Sequence, residues 1–130
     1  MTEESYPSEL RYNREHDWAR IEGDEAVIGI TWHAQDALGD VVHFEAPAVG
    51  QVVAAGRSYG EVESVKAVSD LISPLSGEVI AVNETVVNAP ETINEDPYGA
   101  GWLARIRLAD SSELDALLDA DAYGAHVADQ

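Results

Sequence analysis

The sequence predicts a mainly β domain, a small sandwich of two sheets with short helices and a C-terminal helix. Three observations carry this. Short runs alternate apolar and polar residues between Gly, Pro, Asn and Asp, the period-2 signature of half-buried strands. A weak internal repeat aligns Gly50-Gln51-Val52-Val53-Ala54-Ala55-Gly56 with Gly77-Glu78-Val79-Ile80-Ala81-Val82-Asn83 at an offset of 27 residues. Near the end, Asp110-Ser111-Ser112-Glu113 has capping-box spacing ahead of Leu114, Leu117 and Leu118. At 130 residues, 1–130 is read as one domain with enough apolar residue, 45%, to form a core.

In chain order, residues 1–10 are polar, contain Pro7 and read as a loose N-terminal arm. Residues 11–22 carry Tyr12 and Trp18 and lead into the strand Trp18-Ala19-Arg20-Ile21. Gly23-Asp24 turns the chain into Glu25-Ala26-Val27-Ile28-Gly29-Ile30, which completes a hairpin. Thr31 suits the N-cap of a short helix through Ala34, Ala37 and Leu38, stopped at Gly39. Residues 40–45 form a strand that Pro47 ends. In the repeat, Gly56 and Asn83 match as residues tolerant of positive φ, and two such units related by a pseudo-twofold place their connecting hairpin at one end of the sandwich. Past Val86-Val87 comes a polar loop with Pro90, Asn94, Pro97 and Gly99, long enough to be functional. The strand at 101–108 turns Trp102, Ala104, Ile106 and Leu108 to one face and Arg105 and Arg107 to the other. The capping box opens a helix with Leu114, Leu117 and Leu118 on one side, and an acidic, frayed tail follows.

The net charge of −18 argues against nucleic acid, whose phosphates it repels. It fits a solubilising surface adapted to a salty interior, or steering toward basic partners. Without cysteine the polypeptide has no thiol chemistry of its own, so redox work requires an added group. His16, His33, His43 and His126 lack metal-ligand spacing, and no Walker or dinucleotide glycine loop is present. With 25 acids, any pairing of carboxylates into an acid and base is expected by chance. No run approaches the ~20 apolar residues of a membrane span, and Met1-Thr2-Glu3-Glu4-Ser5 resembles neither a secretory nor a transit peptide, so a cytoplasmic setting is expected.

Lys66 is the sole lysine; the six other basic side chains are arginine. Glu61 and Glu63 alternate with Val62 and Ser64 ahead of it, and Ala67-Val68-Ser69-Asp70-Leu71-Ile72 returns toward Pro74. Ser64-Val65-Lys66-Ala67 offers no residue for a primed turn, so a type I turn with Lys66 at its tip is expected. An amine held there suits covalent attachment of a cofactor. A Schiff-base lysine requires desolvation, whereas Glu61, Glu63 and Asp70 favour the ammonium. A bare surface lysine on a purely structural acidic domain is the other reading.

Glu61-Val62-Glu63-Ser64-Val65-Lys66-Ala67 with Ser69-Asp70 closely resembles the lipoyl-attachment segment of the H protein family of the glycine cleavage system. Tyr12, His16-Asp17-Trp18, Ile28-Gly29-Ile30-Thr31, Ala34-Gln35, Leu38-Gly39-Asp40-Val41-Val42, Ser73-Pro74-Leu75-Ser76-Gly77-Glu78-Val79, Val82-Asn83, Asp96-Pro97-Tyr98 and Gly101-Trp102-Leu103 follow that family's order. Biotin carriers have a similar hairpin but flank the lysine with methionines, where Val65 and Ala67 stand here.

The resemblance implies a lipoyl-domain-like flattened barrel or sandwich, a barrel-sandwich hybrid with internal symmetry. It implies lipoate on Lys66 as N6-lipoyllysine, put there by a lipoate-attaching enzyme. Glu61, Glu63, Ser64, Val65, Ala67 and Asp70 would be the hairpin surface that is recognised. It further implies a carrier without catalysis of its own. Glycine decarboxylase (P protein) loads an aminomethyl group, aminomethyltransferase (T protein) passes the one-carbon unit to tetrahydrofolate, and dihydrolipoamide dehydrogenase (L protein) reoxidises the arm. The family has His-Glu-Trp where this chain has His16-Asp17-Trp18, and that acid is thought to hold the loaded amine; Asp17 is one methylene shorter, and Glu15 is a candidate to share the contact. A lipoyl donor feeding other lipoyl domains is the alternative function.

Overall fold

The computed structural model describes residues 5–129. A six-stranded sheet runs in the order β1-β2-β3-β9-β8-β5, and a three-stranded sheet in the order β4-β6-β7 packs against it. In chain order the strands are β1 (Arg11–Tyr12), β2 (Asp17–Glu22), β3 (Glu25–Ile30), β4 (Val41–Glu45), β5 (Val52–Val53), β6 (Ser58–Ser64), β7 (Val68–Ile72), β8 (Gly77–Val82) and β9 (Ala104–Leu108). All pairings are antiparallel, and the two sheets stay separate instead of closing into a barrel. Between them lies the main core, built from Ile28, Phe44, Val62, Leu71, Val79 and Ile106 among others.

The first hairpin forms as its alternation demands, with Glu22 opposite Glu25 and Gly23 at φ +67° in the turn. β3 is buried on both faces: Ala26, Ile28 and Ile30 enter the main core, while Val27 meets a second cluster with Leu10, Tyr12, Trp18 and Tyr123. At Gly29 a Cβ would come within 2.7 Å of the Trp18 indole, so only glycine lets that ring lie across the strand. Trp18 is then fixed by its Nε1–H, which donates to Pro97 O at 3.0 Å. Helix α1 (Trp32–Leu38) has Thr31 as N-cap and Gly39 as its stop, as the sequence predicts.

The two segments of the internal repeat lie side by side at their centre. The 27-residue offset maps Gln51 onto Glu78 and Val52 onto Val79, and the two copies pair with one another. Val52 stands opposite Glu78, and Val79 N–H donates to Gln51 O at 2.9 Å. The ends of the copies differ. Gly56 has φ +81°, but Asn83 has φ −79° and caps helix α2 (Glu84–Asn88) with its side chain.

Five other expectations are corrected. Residues 1–4 of the expected loose arm lie outside the described residues; within 5–10 the chain is anchored, with Leu10 buried, Tyr6 and Pro7 half-buried and Pro7 O accepting from Tyr12 OH at 2.6 Å. The polar segment after Val87 is not a plain loop but completes α2 and adds α3 (Thr92–Glu95). The strand at 101–108 starts only at Ala104, because Leu103, not Trp102, takes the fully buried position. The capping box opens a 3-10 helix (Ser111–Ala116), since Glu113 turns away to accept from Ser76 N and Oγ, both at 2.8 Å. The C-terminal α-helix, α4 (Ala120–Ala128), begins later under the cap of Asp119, and the buried Tyr123 docks the tail that was expected to fray.

Candidate functional site

The β6–β7 hairpin rises at one end of the smaller sheet, with Glu63 opposite Val68 and Glu61 opposite Asp70. Residues 65–67 form its tip, and Lys66 is exposed there. No residue from 64 to 67 has positive φ, so the expected unprimed turn is found. Its fastening is a side chain that backbone reasoning did not supply. Ser64 is buried, and its Oγ accepts from Lys66 N–H at 3.3 Å and Ala67 N–H at 3.1 Å, while Ser64 N–H donates to Ala67 O at 2.7 Å. Ser64 therefore organises the turn from within.

The tip also rests on a shelf. Val65 N–H donates to Asp40 O at 3.1 Å, and a Cβ at Gly39, where φ is +79°, would meet Lys66 Cε at 3.6 Å. Asn94 of α3 holds that shelf in place. Its Nδ2 donates to Gly39 O at 2.9 Å and Gln35 Oε1 at 3.1 Å, and its Oδ1 accepts from Val41 N–H at 2.8 Å. A segment that reads as polar loop thus supports the tip.

The outer face of the hairpin is acidic. Glu45, Glu61 and Asp70 stand directly opposite one another across β4, β6 and β7, an arrangement that destabilises an isolated sheet. Among the described residues, neither Glu61, Glu63 nor Asp70 forms an ion pair with a basic group. Around this row Val42, Val65 and Val68 are more than half exposed.

Beside β7 opens a cleft of about 260 Å³. One wall is Glu15, His16 and Asp17 from the β1–β2 turn; a second is His33, Ala34, Ala37 and Leu38 of α1; the third is Ser69, Asp70 and Leu71. The two candidate acids are therefore together with Asp70, but in unlike surroundings. Glu15 and Asp70 are exposed, whereas Asp17 is 2% exposed. Burial pushes the Asp17 carboxyl well above the usual carboxylate range, against the pull of a 3.1 Å hydrogen bond from Asn13 Nδ2. Burial above all, with the neighbouring Asp17 adding to it, raises the titration of Tyr59, whose buried hydroxyl has no hydrogen-bond partner among the described residues. The cleft thus has an apolar middle, two exposed acids and one deep carboxyl that resists ionisation.

A two-sheet β domain thus presents one exposed lysine on a hairpin, with an acid-edged cleft at that hairpin's flank. The Glycine cleavage H-protein family profile matches residues 10–130. The chain is 50% identical over 122 residues to the glycine cleavage system H protein of Myxococcus xanthus, covering 94% of this chain and 95% of that protein. It is 59% identical over 108 residues to the H protein of Rubrobacter xylanophilus, covering 83% and 86%. The crystal structure of the H protein from Mycobacterium marinum matches with a TM-score of 0.87 at 43% identity, over 94% of this chain and 98% of that one. The chain belongs to the glycine cleavage H-protein family.

Proposed function

We propose that this chain carries lipoate as an amide on Lys66 Nζ and ferries the aminomethyl group of glycine from the P protein to the T protein. In this reading the L protein restores the arm, and a lipoate-attaching enzyme reads Glu61, Glu63, Ser64, Val65, Ala67 and Asp70 around the lysine. The observation that carries it is the sole lysine, exposed on a buttressed tip, next to a cleft that shares its hairpin. When bound, the group supplies a long flexible tether ending in a dithiolane, a redox centre in a chain without cysteine.

The residues fit such a group by their chemistry. Ile30, Ala34, Ala37, Leu38 and Leu71 offer apolar contact to a hydrocarbon arm. Ser64, Asp40 and Asn94 keep the tip from folding back or spreading, so that the tether alone is mobile. The cargo amine is a cation. Glu15 and Asp70 at the exposed edges are ready acceptors, and Asp17 becomes a better one when a cation enters and offsets the burial that raises its titration. The chain makes and breaks no bond itself; it raises the local concentration of the cargo at each partner and shields it between visits.

The test is glycine turnover by the P, T and L proteins with the lipoylated chain or with its Lys66→Arg variant as the only carrier. Turnover with the parent and none with a folded Lys66→Arg is expected. Absence of turnover with a fully lipoylated parent, together with transfer of lipoyl groups to other lipoyl domains, overturns the proposal in favour of a relay.

A further inference from the structure

Tyr123 lies on the C-terminal helix, outside every segment that lines the cleft, yet its hydroxyl joins two of the cleft's walls. The phenol oxygen is 2.8 Å from His16 Nδ1 and 2.7 Å from Thr31 Oγ1. His16 sits between Glu15 and Asp17 on the first wall. Thr31 is the N-cap of α1, the second wall, and its Oγ1 accepts from Ala34 N–H at 3.2 Å. The same two segments also meet through the backbone, where Thr31 N–H donates to His16 O at 3.0 Å.

His16 requires such a hold. It is the only non-glycine residue with positive φ, 75°, among the described residues. That conformation is uncommon for a residue with a Cβ and persists where surrounding contacts enforce it. The two hydroxyls and the imidazole can keep both links in either protonation state. With neutral His16, Thr31 donates to Tyr123 and Tyr123 donates to Nδ1; with protonated His16, Nδ1–H donates to Tyr123, which donates to Thr31. The ring itself is fully buried and stacked on Tyr12 at 4.6 Å between centroids, so packing fixes where the oxygen points.

We infer that Tyr123 is a positioning residue for the arm cleft: its hydroxyl ties the Glu15-His16-Asp17 turn to the start of α1 and sets the gap between those walls. The inference rests on the carrier reading above for its functional consequence, but not for the link itself. The phenol touches neither lysine nor cargo and acts through His16 and Thr31.

Tyr123→Phe removes the oxygen and keeps the stacked ring. Tyr12→Phe is the companion, since its hydroxyl donates to Pro7 O in the same aromatic cluster without reaching the cleft. On the full-length unmodified chain, amide exchange at Thr31 and Ala34 should quicken in Tyr123→Phe and stay parental in Tyr12→Phe. On the lipoylated chain loaded by the P protein with glycine, the lifetime of the bound aminomethyl group should shorten about two- to tenfold in Tyr123→Phe alone, the range expected for one net hydrogen bond. Parental exchange and lifetime in Tyr123→Phe overturn the inference. So do shortened lifetimes in both variants in proportion to their loss of melting temperature, which is the mark of a merely structural role. If the parent protects its cargo no better than free lipoamide does, the carrier reading fails on its own, and amide exchange still decides whether Tyr123 links the walls.

Discussion

Asp17→Asn should make the protein more stable at neutral pH while making it a poorer carrier. Asp17 is 2% exposed, its side chain is bonded by Asn13, and burial raises its carboxyl titration far above the usual range. Between about pH 4, the unfolded carboxylate value, and that raised folded value, the folded chain holds a proton that the unfolded chain has released. Stability from this site is therefore complete below the unfolded value and is lost as pH rises through the window. Each unit of separation amounts to about 1.4 kcal/mol at pH above both values. Asparagine cannot ionise, so the variant lacks this slope. Against the gain stands the second N–H of the new amide, which costs about 1 kcal/mol or more if it finds no acceptor. Calorimetry of the unmodified chain from pH 4 to pH 8 should show curves that converge near pH 4 and separate above it. The variant should melt higher at pH 7.5 by about 3–5 °C for each net kcal/mol. Glu15→Gln removes an exposed charge that adds to the rise at Asp17 but leaves the buried carboxyl in place, so it should keep most of the parent's slope. Parallel curves for Asp17→Asn and the parent would refute the claim that a buried carboxyl of raised titration lies under this cleft. On the loaded, lipoylated chain the same variant should lose its aminomethyl group faster than the parent, with lipoylation and reoxidation unchanged.

Gly29→Ala should destabilise by roughly 1–3 kcal/mol, because its methyl would come within 2.7 Å of the Trp18 ring; a lower melting temperature and a shifted tryptophan emission check this. Asn94→Ala removes the carboxamide that joins Gln35, Gly39 and Val41, so it should lower stability by roughly 1–3 kcal/mol and slow lipoate attachment at the loosened tip, measured as the initial rate. Apparent affinity for the partner enzymes should fall as salt rises if the Glu45, Glu61 and Asp70 row steers docking, and a flat salt dependence would leave that row without this role.

The strands and the lysine tip were legible because they follow local rules: alternation in Glu61-Val62-Glu63-Ser64, a capping threonine at Thr31, glycines at Gly23 and Gly39. What escaped the sequence was set by contacts distant along the chain. Ser64 reads as one more polar residue in a strand, and only the paired hairpin turns its hydroxyl toward the amides of Lys66 and Ala67. Asn94 reads as loop polarity, though it reaches back more than 50 residues to Gly39 and Val41. Glu113 fits a capping box, but Ser76 offers it two donors and wins. Of the cleft, Glu15 and Asp17 were named from the resemblance; their unequal burial depends on Asn13 and the packing of the two sheets, which no spacing encodes. Tyr123 carried no signal beyond being an aromatic in a tail that otherwise reads as acidic.

Whether Lys66 takes a lipoyl arm is decided by the intact mass of the chain after incubation with lipoate, ATP and a lipoate-attaching enzyme. The parent should gain one lipoyl group, and Lys66→Arg, folded by its cooperative melt, should gain none. A parent that stays unmodified, takes a biotin increment from a biotin-attaching enzyme instead, or shares its lipoyl gain with Lys66→Arg would contradict a lipoyl arm on the hairpin lysine.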